Sequence, residues 1–314
     1  MQASILIVSK NRKKELKYTL DVLKEMIDFS KHEVLVFLDG CTDDSLVLKN
    51  KFKWVKWYSS EKSLGASAAR YQLYPKGQGQ FLIGLDDDAH PLHSDFIEKT
   101  MNVFAKYSNV GIVAFQEIKG IFSSDAESLN QVDLKEEEYF CNEFIGCGFA
   151  IRKDVYDATN GFPVWIDIYG EESCVSIEAM AMGYDIVYSN KIKVNHRVDK
   201  EARKRAGKNY FRFGKQLKNT TYYYIVYYPN PLLKIMKLYW HNFKKYVLTD
   251  KECFKIFFKV CFEVSLNIPK VLKYRKPIDR TIINKMNQLS SIKYYDYLKY
   301  QKLPETKIYW QPEK

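Results

Sequence analysis

Cysteine is scarce in this chain, and none of it is arranged for chemistry. The six residues Cys41, Cys141, Cys147, Cys174, Cys253 and Cys261 form no CxxC pair, and no histidine cluster at zinc spacing accompanies them. That pattern speaks against a structural zinc site or a redox dithiol and for reduced, mostly buried thiols. No apolar run reaches the ~18 residues that span a bilayer. The nearest, from Ile256 to Leu272, is interrupted by Lys259, Glu263 and Lys270. Met1 leads straight into an apolar segment without a signal-peptide pattern. The expectation is a cytoplasmic protein, peripheral at most to the inner face of the plasma membrane. Repeats and low-complexity tracts are also missing.

What is present divides unevenly. The 314 residues suffice for one large domain, or one domain with a helical appendage, and 46% are apolar, enough for a sizeable core. Residues 1–200 hold 24 Lys+Arg against 30 Asp+Glu, a net of −6, whereas residues 201–314 hold 25 against 8, a net of +17. A mildly acidic part at 1–200 and a basic, Tyr-rich helical part at 201–314 suggest separate tasks, the second meeting an anionic surface.

Apolar runs and helical spacings alternate through the first part. Ser4 to Val8, Val34 to Leu38, Lys53 to Tyr58, Phe81 to Leu85 and Val110 to Phe115 read as strands, with a further one at Tyr184 to Tyr188. Leu16, Leu20, Leu23 and Ile27 mark a helix, as does the stretch from Leu64 to Tyr74. Such alternation predicts an α/β fold with a parallel sheet carrying helices on both faces. Residues 116 to 140 are polar and lack periodicity, and read as an excursion over the site or a mobile loop.

Ligands of these sheets bind beyond the carboxyl ends of the strands, where Asn11, Asp39, Arg70 and Asp86-Asp87-Asp88 cluster. Three adjacent carboxylates repel one another unless a cation or donor network offsets them. A hard divalent ion shared with phosphate oxygens meets that need; a solvated acidic turn before the next helix, broken at Ala89-His90-Pro91, fits the triplet alone equally well.

The order of motifs over residues 3 to 200 resembles the inverting family two glycosyltransferases of the GT-A fold, which move a sugar from a nucleoside diphosphate to an acceptor hydroxyl. The resemblance implies an α/β, Rossmann-type, mixed and mainly parallel sheet flanked by helices, here with a basic C-terminal helical extension. Ser9-Lys10-Asn11-Arg12 resembles the family's loop for base and ribose, and Asp39-Gly40-Cys41-Thr42-Asp43 its Asp-Asp-Gly-Ser-x-Asp segment, with Leu38 in place of the first aspartate. Ala68-Ala69-Arg70 is similar to Ala-Arg-Asn, Asp86-Asp87-Asp88 to the Asp-x-Asp metal motif, and Gly170-Glu171-Glu172 to the Gly-Glu-Asp that supplies the base. The resemblance implies nucleotide binding by Ser9, Asn11, Arg12, Asp39, Arg70, Asp86 and Asp87. It further implies Mn2+ or Mg2+ on Asp88, Asp86 and His196, and catalysis by Glu172 with Glu171. Residues 1–115 would then form the nucleotide-sugar half and 116–200 the acceptor half. The Gln-x-x-Arg-Trp signature of processive synthases is absent, which implies addition of a single sugar, from a UDP- or dTDP-sugar donor to a glycan or lipid-linked acceptor in surface polysaccharide or glycoconjugate synthesis.

Two other functions fit parts of the sequence. A sugar-1-phosphate nucleotidyltransferase has similar metal carboxylates but needs a glycine-rich loop after the first strand, and Ser9-Lys10-Asn11-Arg12 has no glycine. A basic nucleic-acid-binding protein would bind with steep salt dependence, but nucleic acid is not the expected partner. For the basic tail, a solvated helical pair and attachment to an anionic membrane surface rank together.

Overall fold

The computed structural model describes residues 1–130 and 135–292. The chain runs β1 (Ala3–Ser9), α1 (Lys13–Met26), β2 (His32–Asp39), α2 (Leu48–Lys51), β3 (Lys56–Ser60), α3 (Ala66–Leu73), β4 (Phe81–Asp86), β5 (Ala89–Pro91), α4 (Phe96–Lys106) and β6 (Val110–Lys119). It continues with α5 (Asp125–Leu129), β7 (Glu138–Cys141), β8 (Gly148–Arg152), α6 (Lys153–Ala158), α7 (Glu171–Ala181) and β9 (Asp185–His196). Five helices follow: α8 (Lys200–Arg205), α9 (Tyr210–Tyr227), α10 (Pro231–Asn242), α11 (Lys251–Leu272) and α12 (Arg280–Gln288).

The strands make one sheet in the order β3-β2-β1-β4-β8-β6-β9-β5, with β7 beside β9. β1 lies parallel to β2 and β4, β2 to β3, and β6 to β9. β8 runs antiparallel between β4 and β6, and β5 and β7 run antiparallel to β9. Most strands therefore point one way, as expected for a mixed, mainly parallel sheet.

Side chains alternate across that sheet because the strand period is two. Ile5, Ile7, Val34 and Val36 enter one core with Leu16, Leu20 and Leu23 of α1 and Phe96 and Val103 of α4. Leu6, Leu35 and Phe37 enter the other with Ala69 and Leu73 of α3 and Val175 and Ala179 of α7. Burying one such leucine contributes about 2 kcal/mol, so Leu20→Ala would loosen α1 from the sheet. Gly84 lets β4 pass under two rings: a Cβ there would lie 2.2 Å from Phe149 and 2.3 Å from the Tyr74 hydroxyl.

Three expectations shift. β6 continues through Lys119, so Gln116 and Glu117 are buried strand residues rather than part of a loop, and β7 returns the chain to the sheet. Ala89-His90-Pro91 is itself a short strand, with the proline at its end where a missing donor costs least. The third strand begins at Lys56 rather than Lys53. A third core joins Cys174 and Ile177 of α7 to Leu217 and Tyr223 of α9 and to Phe257 and Val260 of α11. The end of the 201–314 region, from 293, lies outside the described residues.

Candidate active site

Parallel pairing brings the strand ends together: Val8 lies opposite Asp86, and Ser9 opposite Leu38. His196 ends β9, paired with Ala89 on one side and Lys119 on the other, which carries it to the acidic turn. Oxygen or nitrogen atoms of Asp86, Asp88 and His196 all lie within 4.8 Å of one another.

A network of donors holds this turn. Ser9 Oγ donates to Asp87 Oδ2 at 2.7 Å, and Thr19 Oγ1 to the Asp87 carbonyl at 2.7 Å. Arg12 places Nε 3.4 Å from Asp87 Oδ1 and Nη2 2.6 Å from Asp88 Oδ2. Burial pushes the Asp87 carboxyl up to about 7, against the pull of Arg12 and Ser9. Burial works the same way on Asp88, but His196 and Arg12 outweigh it and hold that carboxyl well below its ordinary value.

His196 points Nε2 at Asp88 Oδ1, 3.3 Å away, while Nδ1 bonds Glu117 Oε1. Glu117 is 3% exposed and pairs with Lys119 at 2.9 Å. Against the effect of burial, His196 and Lys119 lower its carboxyl to about 2. A histidine whose rear nitrogen is fixed by a carboxylate presents its other nitrogen in one orientation. Reading 116–140 as a loop hid Glu117, although the strand-like run before it was the signal that could have exposed it.

Arg70 connects the acidic turn to the glutamates. Its Nη2 donates to Asp86 Oδ1 at 2.8 Å, and its Nη1 donates to Glu171 Oε1 at 2.9 Å and lies 3.6 Å from Glu172 Oε1. The guanidinium also lies 5.4 Å over the Phe162 ring. It is 7% exposed, so these partners replace its water. Both glutamates stand in the first turn of α7, where the helix dipole favours carboxylates. Burial raises Glu171 well above the ordinary range, helped by the neighbouring Glu172 charge and opposed by Arg70. Burial also raises Glu172, again against Arg70. Gly146 passes close to Glu172 and to the Arg70 guanidinium.

The turn into α7 is braced from outside the sheet. Gly170 opens the helix at φ +100°, a conformation that favours glycine. Asn219 of α9 donates to the carbonyls of Ile168 and Tyr169 at 2.7 and 3.0 Å, and Lys215 pairs with Asp167. Tyr227 donates to Glu178 Oε1 at 2.6 Å, so α9 fixes α7 at two levels. Nothing in the sequence marked Asn219 for this.

Asp39 and Asn11 sit at the same rim with their side chains engaged. Asp39 accepts from the backbone N–H groups of Leu64 and Gly65 at 2.6 and 3.1 Å and from Ser63 Oγ at 2.7 Å. Its carboxylate thus anchors the loop before α3, and it is 2% exposed. Asn11, at φ +55°, accepts from the Thr42 N–H at 2.7 Å and donates to its hydroxyl at 3.0 Å, tying the loops after β1 and β2 together.

Residues 4–158 match the family model "Glycosyl transferase family 2". A protein of Haemophilus influenzae named only as uncharacterized is 29% identical over 176 residues, covering 51% of this chain and 92% of that protein. Among solved structures, S. aureus TarS superposes with a TM-score of 0.55 at 13% identity over 79% of this chain, which spans 46% of the TarS length. A mannosyltransferase of Pyrobaculum calidifontis, solved with GDP-Man and Mn2+, gives 0.54 at 14% identity, covering 93% of this chain and 76% of its own. GalNAc-T7, solved with UDP, GalNAc and Mn2+, gives 0.57 at 16% identity, covering 86% and 57%. Identities this low speak to the fold alone. The chain thus matches the Glycosyl transferase family 2 model over residues 4–158 and takes the mixed α/β fold of GT-A glycosyltransferases.

Proposed function

We propose that this chain is a metal-dependent, inverting glycosyltransferase that moves one sugar from a UDP- or dTDP-sugar to an acceptor hydroxyl. The observation that carries the reading is the meeting of Asp86, Asp88 and His196 at the strand ends, joined through Arg70 to Glu171 and Glu172. Structures of similar fold were solved with UDP-GlcNAc, with UDP and Mn2+, or with GDP-Man and Mn2+, which supports a nucleotide-sugar donor.

Two carboxylates and one imidazole could hold a divalent ion such as Mn2+ or Mg2+ once His196 gives up its Nε2 proton. Against the effect of burial, Cys147, Asp88 and Glu117 raise the His196 pKa, and the Glu117–His196 contact fixes the ring's orientation. Asp86, Asp88 and His196 would hold the ion, which when bound neutralises charge on a diphosphate. Ser9, Asn11, Arg12, Asp39 and Asp87 shape the nucleotide side, Asp39 through the loop it anchors. Glu172 takes the proton from the acceptor hydroxyl, its raised pKa bringing it nearer neutrality where a general base works best. Arg70, 2.9 Å from Glu171 and 3.6 Å from Glu172, stabilises the negative charge the pair carries. An attacking oxygen on the face opposite the departing phosphate inverts the anomeric centre.

We assign this chemistry to residues 1–200, with 1–115 on the donor side and 116–200 on the acceptor side. The acceptor is a glycan or lipid-linked glycan of a surface polysaccharide or glycoconjugate, and the protein works at the inner face of the plasma membrane. A thermal-shift panel of nucleotide-sugars with and without Mn2+ tests the class. Stabilisation by a UDP- or dTDP-sugar that needs the ion is expected; indifference to every donor would refute it.

A further inference from the structure

The outer faces of α10 and α11 are apolar where a surface helix is ordinarily polar. Phe254, Phe258, Phe262 and Leu266 follow at intervals of four on α11 and are 49%, 49%, 68% and 62% exposed. At 100° per residue they fall within an arc of about 120°, across the helix from Phe257, Val260 and Val264, which enter the core shared with α7 and α9. A helix that has already buried one apolar face in its own protein has no structural use for a second. On α10, Leu232, Leu233, Met236 and Trp240 are likewise exposed, while Ile235, Leu238 and Tyr239 pack inward. Both helices lie against α9. Ring contacts from Trp240 through Phe243 and the buried Phe257 to Phe258 and Phe254 tie the two helices together beneath their exposed faces.

Charge identifies the occupant. Over residues 231–273, nine lysines stand against Asp250, Glu252 and Glu263, a net of +6. All three acids are already paired, with Lys208, Lys255 and Lys218. Lys251, Lys255 and Lys259 share the outer arc of α11 with the phenylalanines. A second copy of the chain would bring the same positive charge to the contact, which opposes self-association. An anionic bilayer supplies both complements: head groups for the lysines and acyl chains for the rings. Among the described residues, no helix is long and apolar enough to cross a membrane, so the contact lies in the interfacial plane.

We infer that α10 and α11 form an interfacial docking surface that seats the protein on an anionic lipid bilayer. The inference rests on the membrane placement proposed above, but not on the transfer chemistry. Two readouts keep these apart: co-sedimentation with phosphatidylglycerol/phosphatidylcholine vesicles, and the thermal shift given by UDP with Mn2+. The protein should sediment with anionic vesicles, far less with pure phosphatidylcholine, and progressively less as salt rises. Phe258→Ser with Phe262→Ser should weaken vesicle binding roughly tenfold or more, as should Lys255→Glu with Lys259→Glu. Because these side chains point outward, both variants should keep the wild-type melting temperature and nucleotide response. Vesicle binding unchanged in both variants, or equal on neutral and anionic vesicles, would overturn the inference. So would a dimer in sedimentation equilibrium that the phenylalanine variant disperses in a protein that ignores vesicles.

Discussion

Gly146→Ala tests the placement of Glu172 by adding a single methyl group. The added Cβ would lie 2.4 Å from Glu172 Oε1 and 2.8 Å from Arg70 Nη2. Gly146 is not at positive φ, so alanine fits its backbone and the strain falls on the two side chains. To regain ordinary contact at 3.4 Å, the carboxylate must retreat by about 1 Å, a misplacement that costs on the order of 100-fold when the group acts on the reacting atom. Arg70 is held by Asp86 and Glu171 as well, so the movement should fall mainly on Glu172, the more exposed partner. The global cost should be that of mild overpacking, about 1–3 kcal/mol. The assay is release of nucleoside diphosphate at saturating donor, alongside a thermal-shift titration with UDP and Mn2+. The expected result is kcat down roughly 100-fold with donor affinity within a few-fold. Near-normal turnover in a folded variant would refute the assignment of Glu172 as the base.

Other perturbations probe separate parts of the site. Glu172→Gln should keep donor binding and reduce transfer by about 10²- to 10⁴-fold; activity near wild type would move the base to Glu171 or elsewhere. Glu117→Gln should weaken Mn2+ binding about 10- to 100-fold by releasing His196, read by calorimetry with the metal alone, and an unchanged affinity would remove Glu117 from that role. Glu171 is raised in the folded state, so above the ordinary carboxylate range the fold holds a proton that the unfolded chain has lost. That contribution is fully present below the unfolded pKa and disappears as pH rises through the folded value. Melting temperature should therefore fall with rising pH across this window, and Glu171→Gln should flatten the fall; an identical slope in the variant would contradict the raised pKa of the buried Glu171.

The strands of the first half were legible because a buried parallel strand is a continuous apolar run, and Ser4 to Val8 and Val34 to Leu38 are such runs. Their strand-end polar residues were legible for the same reason: Asp39 and Asp86 interrupt hydrophobic segments. Glu117 was not, because β6 buries a Gln-Glu pair inside a strand. There the penalty of burial is offset by His196 and Lys119, partners 79 and two positions away in the sequence. Local pattern cannot report a cost that is repaid at long range. The same limit applies to Asp39, whose expected partner was a nucleotide base and whose observed partners are residues 63–65. Asn219 holds the turn into α7 from a helix whose composition suggested only charge and aromatics. Surface chemistry of the last helices was visible as lysines interleaved with rings, but which rings face outward depended on α9.

An anomalous diffraction map from crystals soaked with Mn2+ and UDP tests the metal site most directly. One peak is expected within bonding distance of Asp86, Asp88 and His196 Nε2, with the diphosphate of UDP on its open side and Arg12 turned toward the nucleotide. A map with no peak there, or with UDP bound away from Asp86, Asp88 and His196, would contradict that site.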